Sequence, residues 1–181
     1  MHTLLLDSLN ARWDNYKVGL KACRQGYSEE AVHDFRVAAR RLLSSLDLLR
    51  VLMQDPRIKK IRRILKNQLD KLDDLRNTQV LLVDVSETIQ ETPVLQPYQE
   101  YLQLREKKLL RAARKEIKSL KVASLSKRIK KLNETIQTLK QTDLDTSLFS
   151  AIDEAYAIVN QRYALIDPAQ PATIHRVRLA F

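Results

Sequence analysis

Apolar residues return every three or four positions along nearly the whole chain, the period of one face of an α-helix. Leu5, Leu9, Trp13, Tyr16 and Leu20 lie near one stripe and predict a first helix over residues 3–23. Gln25-Gly26-Tyr27 interrupts it, and Ser28 ahead of Glu29 and Glu30 supplies an N-cap with an acidic first turn. A second helix then runs to Met53, where Asp55-Pro56 restarts the chain with proline in a first helical position. Ile58, Ile61, Leu65, Leu69 and Leu72 share one face of a third helix, which continues from Leu75 to Ile89 after an expected irregularity at Arg76-Asn77-Thr78. The run Val80-Leu81-Leu82-Val83 reads as buried helix, because the chain offers no second strand to pair with it. Pro93 and Pro97 bracket a short loop, and Tyr98 to Lys140 is helical again, with an expected break at Ser124-Leu125-Ser126. Leu125, Ile129, Leu132, Ile136 and Leu139 form a packing seam there. A less basic helix spans 144–165, and 167–171 is a loop. Helices of this length need antiparallel neighbours, so the expected fold is all-α, an antiparallel helical bundle with long helices.

Composition narrows the function. The 181 residues make one ordinary domain. Two glycines and five prolines argue against glycine-rich or tightly turned all-β architectures. One cysteine, Cys23, excludes an internal disulfide and reads as part of a helix face. His2, His33 and His175 are far apart and do not make a metal site. His2 reads as a terminal residue. No apolar run is long enough to cross a membrane, and MHTLLLDSL lacks the basic-then-apolar order of a secretory leader. The expectation is a cytoplasmic protein without a membrane partner. Its 32 Lys and Arg against 22 Asp and Glu, a formal net charge of +10, point to an anionic partner.

That charge is unevenly placed. On the second helix, Arg36 and Arg40 fall about 60° and about 20° to one side of His33, and Arg41 about 80° to the other. Phe35, Ala39, Leu42, Leu46 and Leu49 occupy the opposite, apolar side. On the third helix, Lys59, Arg62, Arg63 and Lys66 stand beside the apolar stripe, with no acidic residue from Ile58 through Gln68. A solvated helix tolerates such crowding, and a polyanion would neutralise it. Residues 105–131 hold a second basic reservoir with only Glu106 and Glu116 as acids. Arginines can grip phosphoryl groups bidentately, while lysines supply a diffuse field. His33 reads equally as a phosphate donor or as a structural residue bonded to a neighbouring helix. The segment AVHDFRVAARR recurs as TIHRVRLAF, with His175 and Arg178 spaced like His33 and Arg36.

AVHDFRVAARRLLSSLDLLR at 31–50, LDDLRNTQVLL at 72–82 and the restarted TIHRVRLAF at 173–181 resemble the conserved histidine α-helical, or CHAD, family. The resemblance implies two pseudo-symmetric bundle halves, each opening with the histidine-arginine helix. Residues 1–27 would be an N-terminal helix, 28–165 the first half and 170–181 the start of a second half in which the chain stops. It also implies binding of inorganic polyphosphate. Carried onto this chain, the binding residues are His33, Arg36, Arg40, Arg41, Lys59, Arg62, Arg63, Lys66, Arg76, His175 and Arg178. Where the family commonly has Arg-Asp this chain has Arg76-Asn77, which removes a carboxylate that could orient the arginine.

The expected activity is binding without turnover, with no cofactor or metal, and association with polyphosphate granules. Such binding should weaken steeply with salt and strengthen modestly as pH falls through the histidine range. Two rivals stand beside it. A nucleic-acid backbone would suit the charge, although ten aromatic residues with only Phe35 beside the arginine motif give base stacking little support. A phosphate-processing enzyme would need a metal clamp, and Asp73-Asp74 point about 100° apart on a helix. Homo-oligomerisation and preferred polyphosphate length are left open.

Overall fold

The structure is a computed structural model and describes residues 2–179. Seven α-helices follow one another without a strand among the described residues: α1 (His2–Gly26), α2 (Glu29–Leu52), α3 (Pro56–Thr88), α4 (Gln96–Ser119), α5 (Val122–Thr138), α6 (Gln141–Tyr163) and α7 (Pro171–Arg178), with a 3-10 turn at Pro93–Leu95 before α4. The first three pack side by side, and α4 with α5 runs back along α3. Its direction is fixed by Gln99 to Ser86 and Gln79 to Glu106 near one end, and by Arg57 to Lys131 near the other. α6 touches α2, and α7 folds back on α6. Ala180 and Phe181, the end of the repeated segment, lie outside the described residues.

The period-3.6 stripes become the core. Leu9, Trp13, Tyr16 and Leu20 of α1 meet Phe35, Ala39, Leu42, Leu46 and Leu49 of α2, with Ile58, Ile61, Leu65, Leu69 and Leu72 of α3 closing the interior. The seam Leu125, Ile129, Leu132 and Ile136 joins them, and Leu139 packs at its margin. Tyr16 stacks on Trp13 and meets the tilted ring of Phe35, each at 5.3 Å between centroids, and donates its hydroxyl to Gln68 Oε1 at 2.7 Å. Burial pushes that phenol up to about 12 and the Cys23 thiol up to about 11, so both stay neutral. Gly19 lets α1 and α2 approach closely, since a Cβ there would stand 3.2 Å from the Phe35 Cα.

Helix ends follow local chemistry. Ser28 Oγ accepts from the Ala31 N–H at 3.2 Å and starts α2 above Glu29 and Glu30. Asp55 caps α3 by accepting from the Arg57 N–H at 2.7 Å, with Pro56 at the first position. Two expectations fail. α3 runs unbroken through Arg76-Asn77-Thr78, because Thr78 turns its hydroxyl back to the Asp74 carbonyl at 2.8 Å and stays in register. The break between α4 and α5 lies at Leu120-Lys121 rather than at Ser124-Leu125-Ser126. Leu120 takes an extended backbone while its side chain packs against the core, and the serines fit inside α5. The turn after α1 falls at Gly26-Tyr27, as the sequence predicts, and Tyr27 takes the left-handed conformation there, at φ 56°. Its ring is buried beneath the Arg114 guanidinium, 5.6 Å away, and its carbonyl accepts from Gln79 Nε2 at 3.0 Å.

Candidate anion-binding site

The basic residues of α2 and α3 divide into two sets according to which way each side chain leaves its helix. Those on the shared seam are tied down. Arg36 is 7% exposed, donates from Nη1 to the Leu69 carbonyl at 2.8 Å and pairs with Asp73. Arg62 pairs with Asp47, and Arg76 pairs with Glu29. Three arginines therefore bolt the two antiparallel helices together. Each of the three has a donor on a protein acceptor, and Arg36 has almost no surface to offer a ligand, while Arg62 Nε meets no acceptor among the described residues.

The second set faces outward. His33, Arg40 and Arg41 on α2, with Lys59, Arg63 and Lys66 on α3, are all exposed. His33 is bonded to no neighbouring helix among the described residues, so its structural reading does not hold. The seam pairs fix the register: Arg40 lies at the level of Lys66, and His33 stands about two turns away beside Arg76, whereas Arg41 lines the groove between α1 and α2 with Arg12 and Asp34. The outward cations have no acidic partner among the described residues. The seam acids Asp47 and Asp73 are taken by Arg62 and Arg36, while the exposed Asp34 and Asp70, nearer in sequence, make no ion pair with these cations. The cross-helix acids Asp47, Asp73 and Glu29 are the functional residues that single-helix reasoning misses.

His175 and Arg178 sit elsewhere. Both are exposed on α7, and Arg178 lines an apolar groove of about 730 Å³ between α6 and α7 with Ile152, Tyr156, Tyr163, Ile174 and Val177. No basic residue of α2 or α3 lines that groove. Here the structure does not bring the two histidine-arginine motifs into one lining.

No group of three His, Cys, Asp or Glu among the described residues is arranged to hold a metal ion. No described helix is long and apolar enough to cross a membrane. What the α2–α3 face can do is present several fixed positive charges, at close spacing, to a ligand carrying many negative ones.

Comparison with known proteins agrees with the motifs. A family model described as the CHAD domain matches residues 7–181. No curated protein matches the chain. Among solved structures, the crystal structure of the CHAD domain from the plant Ricinus communis superposes with a TM-score of 0.70 at 18% identity, over 99% of this chain. The present chain spans 61% of that domain's length, and at this identity the likeness concerns the fold. The family match over nearly all of the chain, on an all-helical bundle carrying the histidine-arginine helix, makes this protein a member of the CHAD domain family.

Proposed function

We propose that the chain binds inorganic polyphosphate on the outward face of α2 and α3, without chemical turnover. The observation that carries this reading is the division of labour just described. Arg36, Arg62 and Arg76 take the seam carboxylates Asp73, Asp47 and Glu29, and Arg40, Lys59, Arg63 and Lys66 stay exposed without an ion-pair partner among the described residues. A linear phosphate chain offers a dense row of oxygens and no base to read, which suits a face rich in donors and free of exposed aromatic rings. Arginines hold neighbouring phosphoryl groups in forked pairs, lysines supply screened attraction, and His33 adds a directional donor at one end.

Removing surface charge separates this role from folding. The triple variant Arg40→Ala/Arg63→Ala/Lys66→Ala should keep its thermal midpoint and lose at least tenfold in affinity for long-chain polyphosphate. Its log K against log salt should flatten by about 2, at about 0.7 for each phosphate contact removed. Unchanged affinity and slope would contradict the assignment of this face.

A further inference from the structure

A separate basic groove lies on the other side of α3, against α5. Its cavity of about 260 Å³ is lined by Arg57, Ser124, Lys127, Arg128 and Lys131, so every charged residue in its wall is a cation. It adjoins a second hollow of about 370 Å³ that shares Arg57 and Lys131 and adds Glu134, Thr135 and Thr138. The floor is rigid. Arg57 Nε donates to both Asp55 oxygens at 2.8 and 2.9 Å, its Nη1 to the Lys131 carbonyl at 3.1 Å and its Nη2 to Thr135 Oγ1 at 2.7 Å. Asp55 is thereby spent on Arg57, and Lys127, Arg128 and Lys131 have no carboxylate partner among the described residues. Arg128 Nε is buried and lacks a hydrogen-bond acceptor among the described residues, an uncommon state for a donor on a charged group. Ser124 adds a hydroxyl in the first turn of α5, whose start has no side-chain cap and carries the positive end of the helix dipole.

Lys127, Arg128 and Lys131 around one hollow, with the Ser124 hydroxyl beside them and no carboxylate in its wall, suit an oxyanion. On a helical wheel the outward side of α3 leads from Lys59, Arg63 and Lys66, past Lys60, to Arg57, with no acid between Arg57 and Gln68. The cationic track therefore does not stop at α3. We infer that the α3–α5 groove is a second phosphate-binding site, taking a short run of phosphoryl groups, and that a long polyphosphate chain bridges from it around α3 to the α2–α3 face. The bridging step rests on the function proposed above; the groove itself does not.

Two linked sites give long chains an avidity that short chains lack, because the second contact forms at high effective concentration. Calorimetry with inorganic tripolyphosphate and with long-chain polyphosphate tests this. The full 181-residue chain should bind two tripolyphosphate molecules, and Lys127→Gln/Lys131→Gln should bind one, with long-chain affinity falling at least tenfold. Lys107→Gln/Lys108→Gln removes the same charge from exposed positions on α4 outside the groove, and should change neither stoichiometry nor affinity by more than about twofold. Equal loss in both double variants would overturn the inference, since net charge alone would then explain binding. An unaltered Lys127→Gln/Lys131→Gln variant would also overturn it. If the Arg40/Arg63/Lys66 triple variant still lost binding in that case, the α2–α3 reading would survive the failure of the groove. If the triple variant bound normally as well, both readings would fall.

Discussion

Arg36 has its guanidinium wedged between two helices, with one donor on the Leu69 carbonyl and its charge against Asp73. Replacing it with alanine removes a buried charged hydrogen bond to a helix carbonyl and the ion pair with Asp73, a loss of about 2 kcal/mol. Arg36→Ala should therefore lower the urea midpoint by roughly 1 M, whereas Arg40→Ala, four residues along and exposed, should leave it nearly unchanged. Lysine should restore little at position 36, because a point charge cannot span both acceptors. Equal urea midpoints for the two alanine variants would contradict the division between seam and face. Asp55 offers a second test. Burial alone would raise its carboxyl, but the hydrogen bonds and charge of Arg57 outweigh that and hold it below the ordinary carboxylate range. A depressed value in the folded state means stabilisation that is full above the unfolded value of about 4 and disappears as pH falls through the folded one. Asp55→Ala should cost about 1 kcal/mol or more at pH 7 through the lost cap and ion pair. Thermal melts of the two proteins should converge as pH is lowered beneath the carboxylate range; a constant gap down to pH 2 would sink this assignment.

At the scale of elements, the stripes that predict α1, α2, α3 and α5 are the ones found buried, because a 3.6 period is enough to define a helix face once length and capping agree. Ser28 and Asp55-Pro56 marked two starts for the same local reason. The α4–α5 break was not legible, since serines sit comfortably in a helix by bonding back to the preceding turn, and the extended backbone of Leu120 answers to tertiary packing. The site divides similarly. Helical angles place Arg40, Arg41, Lys59, Arg63 and Lys66 on a surface, but they cannot separate these from Arg36, Arg62 and Arg76, whose acids lie on the neighbouring helix. Arg57 escaped notice because its role depends on α5, distant in sequence. The hairpin of α6 and α7 is the least enclosed element. Phe149, Tyr156 and Tyr163 are 64%, 69% and 68% exposed, and few of its apolar side chains are buried. Amide hydrogen exchange should run faster at residues 152–163 and 173–178 than at 42–49 and 61–72, where the core is closed. Equal protection in the two regions would show that this hairpin is held by contacts other than those described.

For the whole molecule, the basic complement behind a net charge of +10 is divided between seam pairs that join helices and cations left on outward faces. The α2–α3 face and the α3–α5 groove flank the same end of α3, so the field there is stronger than total charge alone implies. Counterion release should then make affinity for a polyanion a steep function of salt, with phosphate density favouring one ligand over another of the same charge sign. Polyphosphate binding by the α2–α3 face is tested most directly by a calorimetric titration of the 181-residue chain with long-chain polyphosphate and, in the same buffer, with duplex DNA at equal phosphate concentration. Polyphosphate should bind tightly and salt-sensitively, and the duplex at least tenfold more weakly. Equal affinity for the two, or no binding of polyphosphate at low salt, would contradict that assignment.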